Sequence, residues 1–133
     1  MYDSIAAVVG YLRGGTALMA LAPGVYLGIP PGTATFPCIT VDPAPAVGAD
    51  NPLFAGQWFD RRYLIKCIDE NTDPTPALEV QTAIEARVQG GGFTITGHTI
   101  LSFRRLTPVL YQETEQGNRV YWHAGGIYQL TYM

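Results

Sequence analysis

The chain has 133 residues, of which 47% are hydrophobic and only 14% charged, and its net charge is −3. Folding such a chain cuts its accessible area from roughly 21,000 to about 7,000 Å². One domain spanning 1–133 can therefore hold its own core without a metal or disulfide staple, and a disordered chain is excluded. Basic residues form no run beyond the pairs Arg61-Arg62 and Arg104-Arg105, which argues against a protein that reads DNA or RNA sequence.

A soluble domain usually carries about 25% charged residues. The shortfall here leaves little charge to cover a monomer's exterior, so part of the surface is expected to be covered by other subunits. The N-terminus lacks the pattern of a secretory signal, and Gly, Pro or Arg interrupts every apolar stretch before the ~20 residues that span a bilayer. Cys38 and Cys67 lie far apart with no CxxC. They read as buried free thiols of a reducing compartment, with a single disulfide as the alternative.

In chain order, residues 3–13 predict a helix. Ile5, Val8, Val9 and Leu12 form one apolar stripe, Asp3 or Ser4 can cap it, and Gly14-Gly15 ends it. A short turn follows from Thr16 to Leu21. Val25–Ile29 is a short strand closed by Pro30-Pro31-Gly32. Residues 37–42 alternate, with Ile39 and Val41 on one face and Cys38, Thr40 and Asp42 on the other. Residues 43–56 hold Pro43, Pro45, Pro52, Gly48 and Gly56, a long Pro/Gly-rich loop.

Residues 57–69 predict the strongest strand. Phe59, Tyr63, Ile65 and Cys67 share a face interrupted by Arg61, while Trp58, Asp60, Arg62, Leu64, Lys66 and Ile68 make a mixed second face. Thr75 as N-cap and Pro76 at the first helical position open a helix with Ala77, Val80, Ile84 and Val88 as its stripe, and Gly90-Gly91-Gly92 ends it. Residues 93–106 read as one or two strands with a kink at Gly97-His98. Pro108 to Gly117 reads as a polar connection, and 119–132 as a last strand with a bulge at Gly125-Gly126. The expected fold is α+β: an antiparallel sheet of about four to five strands with two helices packed on one face.

No residue set carries a reaction. His98 and His123 lie in no zinc or HExxH spacing, and each is expected at a strand end or on the surface. The glycine spacing from Gly10 to Thr16 lacks a phosphate-binding lysine and follows a helix, so it reads as a helix end. Cys67 sits on an apolar strand face, where a thiol is inert. Catalytic, cofactor and metal sites are therefore all expected to be absent. What remains is surface. The chain has eight tyrosines, and arginine outnumbers lysine seven to one, a pattern of interfaces. Leu53 and Phe54 stand in the long loop with no local element to bury them. They either fold back on the domain or dock on a neighbour, and the second reading makes the loop an arm.

The order of elements also resembles a known family. The segments "LALAPGVYLGIPPG", "TFPCITVD", "RRYLIKCID" and "GHTILSFRRLTPVLYQETEQGNRVYWHAGGIYQLTY" are similar to those of the tail-completion, or tail-terminator, proteins of long-tailed bacteriophages. The likeness includes the Phe36-Pro37 strand, the Arg-rich strand running into Pro108, and the acidic stretch with Glu113 and Glu115. It implies a virion protein, assembled in the host cytoplasm, that forms a ring, usually a hexamer, on the head-proximal end of the tail tube. The ring stops tube polymerisation, meets the tube protein on one side and the head-completion or connector protein on the other, and lets genomic DNA pass through. An acidic balance suits a channel that must not grip DNA. The candidate interface residues are Leu53, Phe54, Trp58, Arg61, Arg62, Glu113 and Glu115. Two alternatives stand beside this: another neck or baseplate component, and a small-ligand or peptide-binding α+β module.

Overall fold

The computed structural model describes residues 4–44 and 59–133. Leu53, Phe54 and Trp58 lie outside the described residues, while Pro43 and Ala44, expected in the long loop, end strand β2. The elements are α1 (Ser4–Arg13), α2 (Thr16–Leu21), β1 (Val25–Leu27), β2 (Cys38–Ala44), β3 (Phe59–Glu70), α3 (Thr75–Gln89), β4 (Ile100–Glu115) and β5 (Arg119–Tyr132). The strands form one five-stranded sheet in the order β1-β2-β3-β5-β4.

The α+β class holds, with two departures in detail. The short turn after Gly15 is the helix α2, and β1 runs parallel to β2 in the register Val25↔Ile39, so the sheet is mixed rather than wholly antiparallel. The other three strand pairs are antiparallel.

One face of the sheet is covered. Val8 and Leu12 of α1 and Val80 and Ile84 of α3 pack with Ile39, Val41, Ile65, Cys67, Tyr128 and Leu130 in a single apolar cluster. The predicted stripes of both helices and the odd-numbered face of β3 are the ones buried there. Arg87 ties the helices together. Its guanidinium donates to the Tyr11 carbonyl at 2.8 and 3.0 Å and lies 3.8 Å from the Tyr11 ring, while the Tyr11 hydroxyl donates to the Arg87 carbonyl. Arg13 donates to the Val25 carbonyl at 2.7 and 3.2 Å, fixing the end of α1 against β1. Within the core the Tyr128 hydroxyl donates to Glu85 of α3 at 2.8 Å, and Arg105 of β4 lies 3.4 Å from the same carboxylate oxygen. Burial and the Glu85 carboxylate together push the Tyr128 hydroxyl well above the usual tyrosine range.

Three local expectations change. Thr75 is the first residue of α3 rather than its cap. Pro74 holds the cap position, and Asp73 before it accepts from the Thr75 amide at 2.9 Å and the Thr75 hydroxyl at 2.8 Å, which holds its carboxyl below the usual range. Residues 108–117 are not a connection: β4 continues through Pro108 to Glu115 and turns at Gly117 and Asn118, both at positive φ. An edge strand tolerates the missing proline donor, and glycine and asparagine are the residues that accept the left-handed turn. The bulges lie on β4, between Ile100 and Ser102 and between Arg105 and Thr107, and not at Gly125-Gly126.

Those two glycines serve close approach instead. β5 lies in the middle of the sheet, paired over its length with β3 and β4. A Cβ on Gly125 would stand 2.1 Å from the Ile65 carbonyl oxygen and 2.5 Å from the Lys66 Cα, and one on Gly126 would stand 2.5 Å from the Arg105 side chain. Gly125→Ala is therefore expected to destabilise the protein by about 1–3 kcal/mol, because backbone must move. Gly10→Ala, at a helical position with nothing within 4 Å of the new methyl, should stabilise it by up to ~1 kcal/mol. Thermal and urea unfolding of the two variants should shift in opposite directions; equal or reversed shifts contradict this packing.

Candidate functional site

The second face of the sheet has no helix on it among the described residues. Residues of β2, β3, β4 and β5 that pair in register share this face: Thr40 stands opposite Lys66, Lys66 opposite Gly125, and Ile68 opposite His123, which in turn faces Tyr111. At the Glu70 end of the sheet Thr40, Lys66, Ile68 and His123, with Phe36 and the 28–30 turn, line a cleft of about 390 Å³. Phe36, whose peptide bond to Pro37 is cis, closes one wall edge-on to Tyr121 at 5.4 Å.

Lys66 donates to the Tyr111 hydroxyl at 2.6 Å, and Tyr111 stacks on His123 with centroids 4.3 Å apart and planes 8° from parallel. His123 Nε2 lies 3.4 Å from a Glu113 oxygen, and because an ionised carboxylate only accepts, the neutral ring is assigned the tautomer with its proton on Nε2. Nδ1 is then a lone-pair acceptor, buried and without a partner, and the Thr40 hydroxyl is likewise buried without a partner. Burial first, and then Lys66, hold the imidazole below the ordinary histidine range against the pull of Glu113. The cleft therefore offers acceptors: the carboxylates of Asp42, Glu113 and Glu115, a hydroxyl and an imidazole nitrogen. Its one lysine, Lys66, gives one of three N–H donors to Tyr111.

The structure separates the predicted interface residues. Glu113 and Glu115 stand at the cleft. Arg62 is on the same face but pairs with Gln129, while Glu113 pairs with Tyr121, which puts them about 27 Å apart along β5. Arg61 points to the helix side, donates to the Asp60 carbonyl at 3.2 Å and lies 5.5 Å from the Phe59 ring. His123 corrects the sequence reading: it sits inside a central strand and is 5% exposed. The sequence reading also passed over Thr40, Asp42 and Lys66 as site residues. Their alternation on β2 and β3 was visible, but the pairing that gathers them was not. Among the described residues, no group of three or more His, Cys, Asp or Glu is placed to hold a metal ion, and no helix is long and apolar enough to cross a membrane.

Both cysteines are free and buried on adjacent strands. Burial, and secondarily Asp69, push the Cys38 thiol up to about 11 and Cys67 further in the same direction. Thiolate is the reactive form, so both should be inert in the folded state.

No protein-family model matches the sequence, and no curated protein matches it. Several solved structures share its fold, two of them from phage or phage-like particles. A chain of the virion of the native gene transfer agent (GTA) particle superposes with a TM-score of 0.73 at 18% identity, over 96% of this chain and 92% of that one. The bacteriophage SPP1 gp17 protein superposes with a TM-score of 0.53 at 16% identity, over 96% of this chain and 85% of that one. At these identities the likeness is one of fold, and it runs nearly end to end.

Two measurements check the site. NMR titration should place His123 below 6.5, the ordinary value. Unfolded histidine then protonates first as pH falls, so its contribution to stability is complete above about 6.5 and declines as the pH drops toward the lower folded value. A midpoint at or above 6.5 contradicts this environment. Alkylation at pH 8 should leave both cysteines unmodified in the folded protein and modify both in denaturant without reductant; an intact 38–67 disulfide contradicts the free-thiol assignment.

Proposed function

We propose that the chain is a structural, non-enzymatic virion protein of a tailed phage or phage-like particle, and that it forms a ring at the head-proximal end of the tail tube. In this role it stops tube growth, joins the tail to the head through the head-completion or connector protein, and lets DNA pass without gripping it. The observation that carries the reading is the end-to-end fold match to a chain of an assembled virion. The order of sequence segments that resembles tail-completion proteins supports it independently.

The physical character of the chain agrees. Its low charge, the edge strand β4 with Leu106, Leu110 and Tyr111 partly exposed, and the sheet face that carries no helix among the described residues are surface that a subunit covers with neighbours. The loop carrying Leu53 and Phe54 belongs to the same reading as an arm onto a neighbouring subunit or the tube.

Deleting the gene for this chain from its particle should give tails of irregular length, unattached to heads, in electron micrographs. Gold-labelled antibody should mark the neck of complete particles. Normal joined particles without the protein overturn the proposal. Label at the distal tip would move the protein to the baseplate.

A further inference from the structure

We propose that the acidic cleft on the open sheet face receives an arginine side chain from a second copy of this chain, supplied by the opposite end of the same face. The inference deepens the assembly reading above, on which it rests, by naming the contact through which copies join.

The cleft's chemistry selects the ligand. Three carboxylates line the cleft, those of Asp42, Glu113 and Glu115, against the one ammonium of Lys66, which gives one of its three donors to Tyr111 and leaves the lining acidic. Arg119, across from Glu115 at the rim, interacts with Tyr121, Glu70 and Glu115, so it offsets part of the acidic charge there and is not a free donor. The Thr40 hydroxyl and His123 Nδ1 are buried, line the cleft and have no partner. Buried polar atoms are ordinarily hydrogen-bonded. A lining in which carboxylates outnumber the one ammonium is completed by a cationic group made of donors, and guanidinium presents five in a planar fork.

The chain also supplies the donor. Arg13 is bonded to Val25, Arg87 to Tyr11, Arg105 to Glu85 and Arg119 to Tyr121, while Arg61 is engaged at Asp60 and Phe59. Arg62 and Arg104 are the two that remain, and the Nε of Arg62 is buried without a partner. Both stand opposite Gln129, one on each flanking strand, so they sit about 10 Å apart on the open face. Asp60 nearby accepts from the neutral Gln129 amide at 3.0 Å to each oxygen and keeps its charge, so two guanidiniums outweigh one carboxylate at this end. The open face is thus acidic at one end and basic at the other, which is the self-complementarity an assembly of identical copies requires.

The test is a charge exchange, read by sedimentation velocity at low salt. Wild type should associate, and added salt should weaken it. Glu113→Lys/Glu115→Lys and Arg62→Glu/Arg104→Glu should each lose association at least 10-fold. An equimolar mixture of the two should recover it, because each variant's intact end meets the other's intact end and the reversed ends also attract. Should the half-buried Arg62 position prevent folding, Arg104→Glu with Glu115→Lys repeats the exchange at exposed sites. Variants that associate as wild type does overturn the contact and leave assembly through another surface. Folded variants whose mixture fails to recover also overturn it, as does a wild type that stays monomeric at low salt; the gene deletion above then judges the virion role separately.

Discussion

The antiparallel ladder between β3 and β5 is the constraint from which the rest of the structure follows. It runs without a break from Phe59↔Tyr132 to Glu70↔Tyr121. A one-residue slip would exchange the faces, sending Tyr63, Ile65 and Cys67 to solvent and Lys66 to the core. Gly125 and Gly126 let the strands close in that register, because a side chain at either position would collide with β3 or β4. With the ladder fixed, α1 and α3 have one apolar surface to cover, and the remaining polar and half-buried residues are gathered on the other.

Much of this was legible locally. The stripes Val8, Val9, Leu12 and Ala77, Val80, Ile84, Val88 fixed α1 and α3, because helical periodicity is a property of a short window. The alternation of β3 was equally plain. What could not be read locally was pairing. Pro108 looked like a strand end, yet it lies on an edge strand where proline is harmless. Gly125-Gly126 looked like a bulge because a glycine pair in a strand signals either a kink or a close approach, and only the neighbouring strands decide which.

The cleft shows the same limit. Glu113 and Glu115 were visible as acidic residues near a turn, but Thr40, Lys66 and His123 enter the site through strand pairs distant in sequence. Arg61 and Arg62, adjacent in sequence and once grouped as one candidate surface, fall on opposite faces. Only Arg62 shares the helix-free face with the cleft, and the length of β5 separates them. That separation turns a loose set of interface candidates into an electrically polar surface.

In functional terms the protein divides its labour between two faces. The helix side holds the fold, and the open side and the edge strand β4 carry unpaired donors, acceptors and exposed apolar groups suited to neighbours. Cryo-electron microscopy of the particle's neck tests this division most directly. The account predicts several copies of this fold arranged as a ring at the head-proximal end of the tube, with the open sheet face against an adjacent copy and an arginine in the Thr40–His123 cleft. A map in which the chain is absent from the neck, or in which its open face lies bare while the helix face makes the subunit contacts, would contradict it.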